Sequence, residues 1–154
     1  MLSLKSVKSI HLNKKILKQI ILLKQSHYKY NFNSQLEHFK RNYKKDDLHN
    51  LLFLNDKLIG YTGLRKIRIK LNSKSKKILL FDTFLLNKKL RKKSLSPILM
   101  SFNNFIIIKH KIPSFLKCNK ELVNFYKKFG WKKTSKKLSI LVKDKKEKMY
   151  FNLH

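Results

Sequence analysis

Nine residues in the middle of the chain, Ile78-Leu79-Leu80-Phe81-Asp82-Thr83-Phe84-Leu85-Leu86, constrain the fold more than any other feature. Nearly continuous apolar sequence of this length reads as a strand covered on both faces, which places it in the middle of a sheet. A basic turn follows, Asn87-Lys88-Lys89-Leu90-Arg91-Lys92-Lys93, and then Ser94-Leu95-Ser96-Pro97-Ile98-Leu99-Met100. Proline lacks an N–H and is tolerated only in the first helical turn, so Pro97 predicts a helix that begins within Lys93 to Ser96. The amides around Ser94 to Ser96 are then unpaired, and the helix dipole favours negative charge beside them. A strand, a basic turn and a helix start in this order suit a pyrophosphate. Arg91, Lys92 and Lys93 would add charge-assisted contacts to it.

The flanking sequence can be read around that strand. Ser3 to His11 alternates mildly and predicts an opening strand. Asn13 is placed to cap a helix through Gln25, with Ile16, Leu17, Ile20 and Ile21 at helical spacing. Tyr28 to Asn33 predicts a loop, and Ser34 to Lys45 a second helix. Leu48 to Leu54 and Lys57 to Ile69 predict two strands joined at the turn signal Asn55-Asp56. Asn72 to Lys77 reads as a polar turn. After the helix from Ser94 to about Lys109, Ile112 to Lys117 predicts a short strand. Asn119 to Phe129 predicts a helix capped by Asn119 and stopped by Gly130. From Trp131 onward the chain predicts a hairpin turning near Lys143-Asp144. The order β-α-α-β-β-β-α-β-α-β-β mixes early antiparallel strands with a late strand-helix-strand crossover, in one domain over residues 1–154.

Composition excludes more than it selects. One cysteine, Cys118, rules out an internal disulfide framework, and no His/Cys/Asp/Glu spacing suggests a metal site. That usage, with no signal-peptide core and no apolar stretch long enough for a bilayer span, predicts a cytoplasmic protein. The formal net charge of +30 would ordinarily point to nucleic acid or an anionic membrane. Yet the chain has no alanine, three glycines, two prolines and basic residues that are almost all lysine. A genome under strong AT pressure produces this profile whatever the protein does. The lysines are also spread along the whole chain.

Three segments resemble the GNAT superfamily of N-acyltransferases. Arg91-Lys92-Lys93-Ser94-Leu95-Ser96 is similar to the family's Arg/Gln-x-x-Gly-x-Gly/Ala loop, with serine at both glycine positions. Asn119 followed by Phe125-Tyr126-Lys127-Lys128-Phe129-Gly130-Trp131 resembles its asparagine and Phe-Tyr-x-x-x-Gly-Phe/Trp helix. Leu51 to Leu64, with Ile59-Gly60-Tyr61, is similar to its second and third strands. The matches cover roughly Leu48 to Trp131.

The resemblance implies an α/β (α+β) GNAT-like domain: a mixed, mostly antiparallel central sheet flanked by helices, with splayed fourth and fifth strands. It implies acetyl-CoA or another acyl-CoA as co-substrate and direct transfer to a primary amine of a small molecule or amino sugar. The coenzyme contacts carried over are Arg91, Lys92, Lys93, Ser94, Leu95, Ser96, Asn119 and Tyr126. Backbone amides near Phe84, Leu85 and Leu86 would hold the thioester carbonyl. Tyr126 is the candidate acid for the departing thiolate, and Asp82 the candidate base for the amine. By strand parity Asp82 should face the same side as Phe84 and Leu86. Amid apolar neighbours its pKa should be raised unless it is paired.

Plainer readings stand beside these. Asp82 is equally a structural acceptor bonded to backbone or to Thr83, Tyr126 lies on an apolar stripe, and Asn119 is a helix cap with or without a ligand. Cys118 reads as a buried strand end. His49 and His110 are isolated histidines of the kind that are usually structural. Two alternatives use the same fold: a donor presented on an acidic acyl carrier protein, steered by the basic surface, and a non-catalytic RNA- or ribosome-associated protein. Oligomeric state is open, a homodimer included.

Overall fold

The computed structural model describes residues 1–71, 73–91, 93–134 and 146–152. Seven strands form one sheet: β1 (Leu2–Lys8), β2 (Leu48–Leu54), β3 (Lys57–Leu71), β4 (Lys74–Leu86), β5 (Ser114–Cys118), β6 (Lys132–Lys133) and β7 (Glu147–Phe151), in the spatial order β1-β2-β3-β4-β5-β7-β6. Only the β4–β5 pair is parallel; every other neighbouring pair is antiparallel. Helices α1 (Lys14–Gln25) and α2 (Phe32–Asn42) contribute to one apolar cluster, with Ile20, Ile21, Phe39, Tyr43, Leu51, Tyr61 and Leu85. Helices α3 (Leu95–His110) and α4 (Val123–Lys127) contribute to another, with Leu79, Phe81, Met100, Ile107, Tyr126 and Trp131. The central strand is thus covered on both faces, as its apolar run requires.

The element order is the predicted one, and several boundaries move for local reasons. Helix α2 starts at Phe32 because Asn31, inside the predicted loop, accepts from the Ser34 amide and caps it; it ends at Asn42. The opening strand stops at Lys8, and Ser9–His11 turns as a 3-10 helix. Strands β3 and β4 run on into the lysine-rich stretch expected to be a turn, pairing as far as Leu71 with Lys74. The segment after Asn119 is a 3-10 turn, Lys120–Leu122, leading into α4 rather than one continuous helix. Gly130 stops it with φ +83°, a left-handed conformation that glycine adopts freely. Asn55 and Asp56 form the predicted turn with φ +47° and +62°, the pattern of a two-residue hairpin loop. Strand β6 pairs antiparallel with β7, and the expected turn near Lys143-Asp144 lies outside the described residues.

Candidate active site

The sheet opens in its middle. Strands β4 and β5 pair only at Leu79–Ser114, Leu80–Phe115 and Phe81–Leu116. Beyond Phe81, β4 continues to Leu86 without β5 beside it, and β5 ends at Cys118. The expected splay of the fourth and fifth strands therefore begins at Asp82.

Asp82 is also where β4 loses register with β3. Gly63 pairs with Thr83 and Leu64 with Phe81, so Asp82 is the extra residue of a β-bulge. The bulge corrects the parity expectation. Asp82 and Thr83 both line a cavity on the α1–α2 face, whereas Phe84 and Leu86 join apolar clusters with residues of α3. A period-2 reading carries Asp82 to the wrong face by one residue.

Tyr43, the residue that ends α2, donates its hydroxyl to Asp82 Oδ1. Thr83 Oγ1 donates to the same oxygen at 2.9 Å, and Arg65 Nη1 lies 3.7 Å from Oδ2. Burial raises the Asp82 pKa, while Tyr43, Lys24, Thr83 and Arg65 pull it back in part. The side chain keeps 22% of its surface, open to the cavity. Gly63 makes room for this contact: a Cβ there would collide with the Tyr43 hydroxyl.

The cavity encloses about 650 Å³ between α1, α2, the loop that joins them, β3 and β4. Lys24 on α1 lines it while only 3% exposed. Its ammonium lies 5.7, 5.6 and 6.0 Å from the ring centroids of Phe39, Tyr43 and Tyr61. Burial lowers its pKa. Deeper in, His49 is fully buried, its Nδ1 2.9 Å from Tyr61 Oη and its Nε2 2.7 Å from Ser9 Oγ. Burial pushes its pKa down to about 4, so it is neutral at physiological pH. It does not line the cavity, and its bonds are those of a structural histidine.

On the helix side of the split, Ser94 occupies the N-cap position of α3 with φ +54° and ψ +27°. This is the left-handed conformation that glycine ordinarily supplies, held here by serine at a cost of about 1 kcal/mol. Its side chain caps nothing, and no side chain among the described residues bonds to the first amides of α3. Leu95 is buried in the cluster beneath this turn, and Ser96 stands in the first helical turn beside Pro97. Arg91 Nη2 donates to His27 Nδ1 at 3.1 Å, and His27 Nε2 is 3.0 Å from the Leu86 carbonyl oxygen. A guanidinium only donates, so Nδ1 is the acceptor and Nε2 carries the proton that Leu86 receives. Lys92 lies outside the described residues, and Lys93 donates its amide to Leu90.

Asn119 follows β5 at the mouth of the split. Contrary to expectation its side chain makes no cap bond, and the exposed amide is left uncommitted among the described residues. Tyr126 is 8% exposed and meets Phe81, Phe125 and Trp131 edge-on. Burial pushes its phenol well above the ordinary tyrosine range. Cys118 is a buried strand end, its thiol 3.9 Å from Met149 Sδ.

No protein-family model and no curated protein matches the sequence. Solved structures do. The chain aligns over 97% of its length with 99% of Escherichia coli ElaA, at TM-score 0.71 and 18% identity. Against an acetyltransferase of the GNAT family from Staphylococcus aureus Mu50 the values are 99%, 100%, 0.67 and 17%. The chain has the GNAT fold. An aminoglycoside 6'-N-acetyltransferase complexed with coenzyme A shares it at TM-score 0.70 and 11% identity, over 96% of each chain. The turn into α3 follows β4 and Asn119 follows β5, the two strands that part at the split. Lys24, Tyr43 and Arg65 are the additions. No motif carries them: the α1–α2 packing brings Lys24 and Tyr43 to Asp82, and the β3–β4 pairing brings Arg65. No helix among the described residues is long and apolar enough to cross a membrane.

Proposed function

We propose that the chain is an N-acyltransferase that moves an acetyl group, or another acyl group, from acyl-CoA to a primary amine by direct attack in a ternary complex. One observation carries the reading: a carboxylate stands where the central strands part, on the wall of a half-open pocket, in a fold that a neighbour uses with coenzyme A. The features around the split fit the co-substrate. The turn into α3 keeps a glycine-like backbone at Ser94, whose side chain leaves the first amides uncapped, and Arg91 is close by. These groups would hold the pyrophosphate, with Lys93 and the Leu95 amide beside them. Asn119 has a free amide for the pantetheine arm. The β4 backbone from Phe84 through Leu85 to Leu86, unpaired on the β5 side, would hold the thioester oxygen as it gains negative charge.

In this reading the acceptor amine enters from the α1–α2 pocket and Asp82 takes its proton as nitrogen bonds to the acyl carbon. Tyr43 and Thr83 fix the carboxylate and leave Oδ2 toward the pocket. The carbon–sulfur bond then breaks, and Tyr126 gives its hydroxyl proton to the thiolate. A phenol with a raised pKa is fully protonated at neutral pH and so can fill that role. Direct binding of acetyl-CoA by calorimetry, with thiol release on adding amines, tests the reading. Micromolar binding supports it; absence of binding at millimolar acetyl-CoA would end it.

A further inference from the structure

The charges of the pocket do not match a simple amine. Lys24, Arg41 and Arg65 line it, with His38 at the rim, against the single carboxylate of Asp82. No carboxylate among the described residues lies within ion-pair distance of Lys24. Arg65 touches Asp82 only through Nη1 at 3.7 Å, a loose contact, while its Nε is sealed from the pocket. The guanidinium end, on the pocket wall and without a close partner, is suited to an anion.

The arginines are informative for a second reason. Only four of the 38 basic residues are arginine: Arg41, Arg65, Arg68 and Arg91. Two of these four line this one cavity. A flat, forked donor meets a planar anion in a way that an ammonium cannot.

We infer that the acceptor carries its own anionic group, a carboxylate or a phosphate, which Arg65, Lys24 and Arg41 receive while its amine faces Asp82. The inference rests on the reading of this pocket as the acceptor side. An unadorned alkylammonium would meet an excess of positive charge and little to offset it. A zwitterion puts its cation at Asp82 and its anion at the Arg65 guanidinium. Lys24, removed from water and placed over three rings, gains a counter-ion when the pocket fills.

The test is binding by the full chain, measured by calorimetry in the presence of coenzyme A. Amino carboxylates from glycine to 6-aminohexanoate are compared with their carboxamides, and phosphoethanolamine with ethanolamine. For at least one length or for the phosphate pair, the anionic member should bind about tenfold tighter. Arg41→Gln, at the exposed rim, and Lys24→Met should each shrink that ratio by about threefold or more. Equal or weaker binding of every anionic member overturns the inference, as does a preference that both variants leave intact. Thiol release in the same samples separates the two ideas. An anion preference without turnover sinks the transferase reading alone; turnover of neutral and anionic amines at equal kcat/KM and equal affinity sinks only this one.

Discussion

The Asp82 carboxylate accepts from Tyr43 and Thr83 and lies beside Arg65, and still burial holds its pKa above the ordinary 3.8. An acid with a raised folded pKa stabilises the fold through its neutral form. That contribution is complete below the unfolded value and is lost as pH rises through the folded one. Asp82→Asn should therefore raise the melting temperature at pH 7, and the gain should vanish below about pH 4. The same change should lower kcat about 10²-fold or more and remove an acidic limb from the pH profile that lies above the usual carboxylate range. If both turnover and the profile stay unchanged, Asp82 is a structural acceptor. Gly63→Ala tests the support beneath it. A methyl group must displace the Tyr43 hydroxyl from Asp82, so stability in urea should fall by about 1–3 kcal/mol, with activity reduced alongside. Neither Tyr43 nor Lys24 stood out beforehand. Lysine is so common in this chain that one buried lysine looks like all the exposed ones, and Tyr43 is 39 residues from its partner.

Among the elements, those with strong periodicity and clear punctuation were legible. Asn13 caps α1 and Pro97 pins α3 within a residue of the expected start. Strand β2 matches its predicted span because apolar residues run to the Asn55-Asp56 turn. The ends of β3 and β4 were not legible, since Lys-Ser-Lys-Lys reads as loop until a partner strand supplies its hydrogen bonds. Helix α2 starts two residues before its expected Ser34 because Asn31, read as loop, caps it by accepting from the Ser34 amide. At the start of α3, serine holds a left-handed backbone without a side-chain cap to compensate. Ser94→Gly should relieve that strain and stabilise the protein by about 0.5–1 kcal/mol, read from denaturant midpoints. Acetyl-CoA should also bind more tightly, since a glycine lets the phosphates approach the backbone more closely. Weaker binding in the glycine variant would mean that the serine hydroxyl is itself a contact.

For the whole molecule, a formal charge of +30 on 154 residues is a self-repelling field. Added salt screens it, so the melting temperature of the free protein should rise between about 0.02 and 0.3 M ionic strength. Acetyl-CoA affinity should fall over the same range if the basic turn contributes to binding. Scanning calorimetry and titration at matched salt read the two opposite trends. A melting temperature indifferent to salt would mean that the surface lysines are already spaced beyond each other's reach. The seven-stranded order follows from the pattern of elements, but which side of the sheet receives which ligand depends on a detail no periodicity records. Strand β4 holds one residue more than its partner can match, at Asp82. Replacing that residue alters a charge; deleting it alters arithmetic. Asp82 and Thr83 share one side of the sheet, so Phe81 and Phe84 fall on the other whether or not the extra residue is counted. With the count restored, Phe84, Leu85 and Leu86 would keep their sides, and the strand would lose its carboxylate and its surplus length together. For this strand, then, the extra letter is a parenthesis, which can be struck out while the sentence around it still reads.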